Sequence, residues 1–328
     1  MARVTLTLAC LGALFSTGPS GFSFQSSFAD GPVAIMPRVR PAPPAETQSV
    51  LRVDSCLIQI PAHVTTAIGA SVTNLIRENF RLFEDGVEQT LTDFARDDAP
   101  ISIGVLFDTS GSMQNKMQKS SEAAAAFFRT AGAEDEFFLV KFSGKAKLTV
   151  PFTRDSGELY SAIVHTRPAG QTSLLDAIHL ALAQMKTARN LRKALVIVSD
   201  GGDNWSRHTV RQVKNVLIES DVQVYAMGIF DSNYSVKHTP EERRGPQLLS
   251  ELAEQSGGRH FPVDNLDDLP AIASRIGREL RDQYVLGYYS TNADHDGKYR
   301  QVKLNLATPN GASVLRAYYR QGYYAPVR

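Results

Sequence analysis

The chain of 328 residues is 43% hydrophobic and 21% charged, the balance of a globular protein with about two domains. Its formal net charge of +1 provides no basic surface of the kind that binds nucleic acid or an anionic membrane. The charge balance therefore excludes both as expected partners.

The N-terminal part predicts an export signal followed by a linker. Residues 1–29 contain a single charge at Arg3, a mainly apolar run over 4–15, and small residues up to Ala29, the pattern of a signal peptide cleaved after Ala29. An uncleaved anchor is the alternative, although the apolar run is short for a bilayer. Residues 30–49 are rich in Pro and Ala and predict an extended linker. We therefore expect an exported protein, periplasmic or extracellular, without a transmembrane helix in the mature chain.

Short strands are predicted on both sides of the central part of the chain. Residues 50–98 hold about four of them, including a hairpin whose Glu-Asp-Gly turn at 84–86 lies between strands at 80–83 and 87–94. Residues 284–326 return to strands separated by turns. Each part is too small to bury a core and leaves strand edges open, so we expect the two to pair into one discontinuous β module.

Between these flanks, residues 99–283 alternate strands and helices. The strands are apolar on both faces, as in a sheet that helices cover on both sides. Strands are predicted at 101–108, 137–142, 147–152, 194–199, 222–229 and 259–263, and helices at 113–130, 175–185, 208–219, 246–255 and 269–281. This alternation predicts an α/β fold with a doubly wound, mainly parallel sheet, inserted into the β module.

Oxygen-bearing side chains lie at three turns of this predicted sheet. Asp108, Ser110 and Ser112 alternate directly after one strand, Thr172 precedes a helix, and Asp200 follows another strand. Because these turns share the carboxyl edge of a doubly wound sheet, the side chains can converge on one ion. Carboxylate and hydroxyl oxygens without Cys or His favour Mg2+ or Mn2+ over zinc. For the first turn alone, the alternative is that Asp and Ser simply cap a turn.

Together these side chains resemble the complete metal-ion-dependent adhesion site of the von Willebrand factor type A family, over roughly residues 99–283: Asp108, Ser110, Ser112, Thr172 and Asp200. The resemblance implies the Rossmann-like fold of that family. It also implies that the three hydroxyls bind the metal directly and that the two carboxylates bind it directly or through water. A partner's carboxylate completes the site in that family, which implies a protein or peptide ligand that offers an acidic residue.

The flanks are similar to a bacterial exported family related to von Willebrand factor A. The matching segments are Phe-x-Leu-x-Glu-Asp-Gly at 80–86, Tyr-Val-Leu-Gly-Tyr at 284–288 and Gly-Tyr-Tyr-Ala-Pro at 322–326. This second resemblance implies that the β module and the central domain occur together in exported proteins.

Residues after the strand ends are predicted to form a partner-binding rim around the metal. Trp205 has the chemistry of an interface residue, and packing against the following helix is the alternative. Asp203 and its neighbour Asn204 either orient metal-bound water or cap the next helix. Lys237 and Arg243 lie in a polar loop that either determines specificity or is simply solvated.

The sequence therefore predicts an exported, metal-dependent protein-binding or adhesion module. An envelope protein whose metal only stabilises the fold is one alternative, and a metal-dependent hydrolase is another. Phosphotransferases with an Asp-first motif need a second carboxylate where this chain has Ser110, and the sequence contains neither Gly-x-Ser-x-Gly nor His-Glu-x-x-His. We therefore expect no enzyme activity.

Overall fold

The computed structural model describes residues 57–230, 242–307 and 314–327, so the predicted signal peptide, the linker and Lys237 lie outside the described residues. In chain order the strands are β1 (Leu57–Thr66), β2 (Phe80–Glu84), β3 (Val87–Gln89), β4 (Leu91–Asp97), β5 (Ile101–Asp108), β6 (Glu136–Phe142), β7 (Ala146–Thr153), β8 (Arg192–Ser199), β9 (Gln223–Ile229), β10 (Arg259–Val263), β11 (Gln283–Tyr289), β12 (Tyr299–Leu306), β13 (Leu315–Tyr319) and β14 (Gly322–Tyr324). The α-helices within these ranges are α1 (Met117–Phe128), α2 (Ser156–Val164), α3 (Leu174–Met185), α4 (Val210–Ser220), α5 (Gly245–Ser256) and α6 (Leu269–Glu279).

A six-stranded sheet forms the centre of the α/β part, in the order β10-β9-β8-β5-β6-β7. Its strands run parallel except β7, which pairs antiparallel with β6 at one edge. Helices α1, α2 and α6 cover one face, and α3, α4 and α5 cover the other. All eight residues of β5 are consequently buried. The predicted doubly wound, mainly parallel α/β fold is confirmed.

Strands of the two flanks pair with one another in two antiparallel sheets. One sheet has the order β13-β1-β11-β4 and the other β14-β12-β2-β3, so each combines strands from before and after the α/β part. Both sheets share one apolar core, which includes Ile60 of β1, Leu82 of β2 and Leu286 of β11. The flanks thus form a single discontinuous β module, because neither half closes a core alone.

The three flank motifs of the sequence meet at the carboxylate of Glu84, which is 2% exposed. Glu84 ends β2 and accepts hydrogen bonds from the hydroxyls of Tyr288 on β11 and Tyr323 on β14, each at 2.8 Å. Ser290, just after β11, donates a third hydrogen bond. Burial raises the pKa of both tyrosines above the ordinary value, so their hydroxyls stay protonated as donors. One carboxylate therefore joins the two sheets of the module.

The predicted strand at 87–94 is wrong, because these residues belong to two strands in different sheets. The chain leaves β3 after Gln89, passes Thr90, and enters β4 at Leu91. Residues suited to strands stand on both sides of this crossing, so the local pattern does not reveal it.

Two helix starts also differ from the sequence pattern. The helix predicted from Met113 begins at Met117, because the 3-10 turn Gly111–Met113 comes first. Helix α2 is not predicted at all, yet its start carries a signal: Asp155 accepts a hydrogen bond from the Gly157 amide at 2.8 Å, and Glu158 follows in the first turn.

Candidate metal centre

Three turns meet at the carboxyl edge of the central sheet. The turn after β5 contacts the loop before α3 through the Gly111 amide, which donates to the Gly170 carbonyl at 3.0 Å. The end of β8 contacts the end of β5, where the Ser199 hydroxyl donates to Asp108 at 2.6 Å. The turn after β8 contacts the loop before α3, because two backbone amides of this turn donate to the Thr172 carbonyl at 3.0 and 3.1 Å. The fold thus brings together the three segments that carry the predicted ligands.

Most of the predicted ligands are buried at this edge. Asp108, Ser110, Thr172 and Asp200 are between 0% and 4% exposed, whereas Ser112 is exposed. The hydroxyls of Ser110 and Ser112 lie 3.0 Å apart. Ser112 therefore places one candidate ligand at the surface, in contact with the buried Ser110.

Asp108 is held both by its own turn and by β8. Its carboxylate accepts hydrogen bonds from the Ser110 amide at 2.9 Å and from the Ser199 hydroxyl at 2.6 Å. Burial, and after it the charge of Asp200, raises the pKa of Asp108 from 3.8 to about 7. The fold therefore opposes a second negative charge at this edge, and a bound cation would relieve that repulsion.

Asp200 contacts a lysine that the sequence pattern does not connect with the site. Lys116 is 8% exposed, and its Nζ lies 3.3 Å from Oδ2 of Asp200 and 3.3 Å from the carbonyl oxygen of Ile229. A single lysine just before an amphipathic helix carries no signal in the sequence. Only the fold reveals this contact.

The serine hydroxyls of the first turn are not used to cap it. Ser110 directly precedes the 3-10 turn Gly111–Met113, and its side chain makes no capping hydrogen bond. The Asp108 carboxylate does accept the Ser110 amide, so the capping alternative applies to one oxygen of Asp108. The Ser110 hydroxyl instead contacts the Ser112 hydroxyl, at 3.0 Å.

The donor set fits a small divalent cation. Two carboxylates and three hydroxyls are hard oxygen donors of the kind that Mg2+ and Mn2+ prefer. Within the described ranges, no group of three or more His, Cys, Asp or Glu side chains is placed to hold a metal ion. A metal bound at this edge would therefore depend on the hydroxyls as well as on the carboxylates.

Asp203 and Asn204 cap the N-terminus of α3 from the turn after β8. Asn204 Oδ1 accepts a hydrogen bond from the Thr172 amide at 2.9 Å, and Asp203 Oδ1 accepts one from the Leu174 amide at 3.0 Å. Ser173, at the N-cap position of α3, makes no capping hydrogen bond with its own side chain. The turn that carries Asp200 therefore fixes the segment that carries Thr172.

The alternative in which Asp203 and Asn204 cap the following helix is wrong. Helix α4 is capped by Thr209, whose hydroxyl accepts the Gln212 amide at 3.3 Å. Asp203 is half-buried, and burial raises its pKa. It is therefore a positioning residue more than an exposed rim residue.

Replacing Asn204 with alanine should lower the free energy of unfolding by about 1 to 2 kcal/mol and the metal affinity by about tenfold. The Thr172 amide would lose its partner, and the loop would hold the Thr172 hydroxyl less firmly. Urea unfolding in EDTA and calorimetric titration with Mn2+ measure the two effects. Thr209→Ala is the matched control, because it removes the cap of α4 and should reduce stability alone. Unchanged stability of Asn204→Ala in EDTA would contradict the capping role.

The predicted rim residues fall at different places. Trp205 is 60% exposed beside Gly144, so its indole buries little against the following helix. Arg243 is exposed in the turn before α5. Two residues later, the backbone of Gly245 packs against the backbone of Gly201, the residue after Asp200. Trp205 is thus an exposed rim residue whose backbone amide donates to the Thr172 carbonyl at 3.0 Å.

One family model matches part of the central domain. Residues 103–202 match the family model of the von Willebrand factor type A domain. A solved von Willebrand factor type A protein from Catenulispora acidiphila has a TM-score of 0.50 and 12% identity, with 84% of this chain and 74% of that chain covered. The conserved hypothetical protein BatB from Bacteroides thetaiotaomicron has a TM-score of 0.44 and 18% identity, with 55% of this chain and 98% of that chain covered.

An uncharacterized protein of Borreliella burgdorferi is 26% identical over 188 residues, or 51% of this chain. The matched region spans 55% of that protein, about half its length. The family match runs from β5 to the turn after β8 and contains all five predicted ligands. Domains of this family are typically non-catalytic protein-interaction modules. The chain carries a von Willebrand factor type A domain.

Proposed function

We propose that this chain is an exported protein-binding or adhesion module that recognises an acidic residue of a protein or peptide partner through Mg2+ or Mn2+. The ion would be held by the five residues of the candidate centre: Asp108, Ser110, Ser112, Thr172 and Asp200. When bound, it supplies an electrophilic position that accepts a carboxylate oxygen. The observation that carries the proposal is the mutual contact of the three segments that carry these three hydroxyls and two carboxylates, with one hydroxyl exposed.

The chemistry of the ligands supports recognition of an acidic partner. Hydroxyls are neutral, so an ion with two carboxylate ligands keeps a strong affinity for an outside carboxylate. Gly111, Gly144 and Gly170, whose backbones approach one another beside the site, place no side chains there. The exposed indole of Trp205 next to Gly144 offers an apolar contact for the partner's neighbouring residues.

Export remains part of the proposal. It is supported by the signal-peptide pattern of residues 1–29. We propose the same organisation as the sequence predicts, with a linker over 30–49, the β module over 50–98 and 284–326, and the central domain over 99–283.

Partner capture tests the proposal directly. Purified protein, immobilised and incubated with an envelope extract, should retain a partner in Mg2+ and release it in EDTA. Asp108→Ala should capture nothing, since it removes a buried ligand. Trp205→Ala should weaken capture about tenfold or more while it leaves the calorimetric affinity for Mn2+ unchanged. Capture that persists both in EDTA and in Asp108→Ala would refute a metal-mediated contact.

The alternative of a purely structural ion makes a different prediction. Such an ion would raise the melting temperature of the protein, and neither EDTA nor Trp205→Ala would change capture. The exposure of Ser112 and Trp205 at the site favours recognition over a buried stabilising ion.

A further inference from the structure

Lys116 is a buried charge that the proposed metal site does not use. It lies between the turn that carries Ser112 and helix α1, and it is 8% exposed. Its Nζ reaches Asp200 Oδ2 and the Ile229 carbonyl, each at 3.3 Å. Lys116 thus connects the segment after β5 with Asp200, which follows β8, and with Ile229, which ends β9.

Burial of an ammonium group needs compensation. Removing an ion from water costs several kcal/mol unless it is paired and hydrogen-bonded, and Lys116 has both kinds of partner. The carboxylates need compensation as well, because Asp108 and Asp200 are both at most 1% exposed and interact with each other. One positive charge close to Asp200 offsets part of this buried negative charge.

We infer that Lys116 is the internal counter-cation of the metal site: its ammonium neutralises Asp200 in the metal-free protein and competes with the metal ion for that carboxylate. The inference rests on the proposed metal-dependent function and concerns how that site is regulated. A divalent ion bound through Asp200 must either share the carboxylate with the ammonium or displace it, and the two cations repel each other. Lys116 therefore weakens metal binding while it keeps the metal-free protein folded.

Lys116→Met tests the inference with two readouts in opposite directions. Calorimetric titration at low salt should show Mn2+ binding about tenfold tighter than in the wild type. In EDTA the variant should melt at a lower temperature, because Asp200 loses its buried partner. The rise in melting temperature on adding Mn2+ should consequently be larger in the variant.

Two further variants serve as controls. Lys119→Met removes a half-exposed lysine of α1 that pairs with Glu122 and Asp267, and it should leave the Mn2+ affinity unchanged. Lys116→Gln removes the charge but keeps a donor for the Ile229 carbonyl, so it should also bind Mn2+ more tightly. It provides the affinity measurement if Lys116→Met does not fold in EDTA.

The outcomes separate this inference from the proposed function. Equal or weaker Mn2+ binding by both Lys116 variants, with binding intact in the wild type, would overturn the counter-cation role and leave the metal site standing. Absence of Mn2+ binding in the wild type and in both variants would overturn the metal site and this inference together.

Discussion

Glu84→Ala is expected to lower the free energy of unfolding by about 3 to 5 kcal/mol. Glu84 is 2% exposed and accepts the hydroxyls of Tyr288 and Tyr323 at 2.8 Å as well as the hydroxyl of Ser290. Alanine would leave these donors without their acceptor in the core between the two sheets of the β module. Urea unfolding followed by tyrosine fluorescence measures the loss.

Glu88→Ala is the matched control for Glu84→Ala. Glu88 lies on the neighbouring strand β3 and forms an exposed ion pair with Arg81 at 2.7 Å, so its removal should change the free energy of unfolding far less than Glu84→Ala. Glu84→Gln, which keeps one acceptor oxygen, should fall between the two. Equal losses for Glu84→Ala and Glu88→Ala would contradict the role of Glu84 as the link between the sheets.

Asp108→Asn should abolish metal binding and, at pH 8 in EDTA, raise the free energy of unfolding by about 1 to 3 kcal/mol. The amide keeps nearly the same shape and can still accept the Ser110 amide, yet it removes a buried charge that Asp200 repels. In saturating Mn2+ the order should reverse, because only the wild type gains from binding, by about 4.1 kcal/mol at a metal concentration roughly 1,000 times its Kd. Chemical denaturation with EDTA or Mn2+ measures both effects.

The pH dependence gives the same prediction a second test. The fold raises the pKa of Asp108 from 3.8 to about 7. The stability that the Asp108 carboxyl group contributes to the metal-free protein is therefore complete below pH 4, and it is lost as the pH rises through 7. Asp108→Asn should lack this decline. Asp135→Asn is the contrasting control, since Asp135 is buried but pairs with Arg281 and should destabilise the protein at pH 8. A destabilised Asp108→Asn in EDTA at pH 8 would contradict the repulsion.

The α/β part could be predicted because its signals are local. Burial on both faces appears as the continuous apolar run of β5, and burial on one face appears as helical spacing in α3. The parallel order of strands follows from their alternation with helices, which places all strand ends at one edge. Asp108 and Asp200 could therefore be assigned to one edge before any contact was known, although their distances could not.

The sequence pattern predicted neither the crossing at Thr90 nor the start of α2, and the two failures have different reasons. Sheet membership depends on which partner strand is available, so β3 and β4 are separated only by the pairing with β2 and β11. The start of α2 had a local signal at Asp155, but a helix of nine residues offers few periodic positions.

Local residue order thus specified most strands, most helices and the oxygen donors of the candidate site, since each depends on residues a few positions apart. The contacts that position those donors depend on residues far apart in the chain: Lys116 pairs with Asp200 across 84 positions, and Asn204 supports Thr172 across 32. Glu84 and Tyr288, 204 positions apart, meet only because the flanks close a common core. Such partners are selected by the packing of sheets and helices, which brings buried charges and donors together wherever burial without a partner would be too costly.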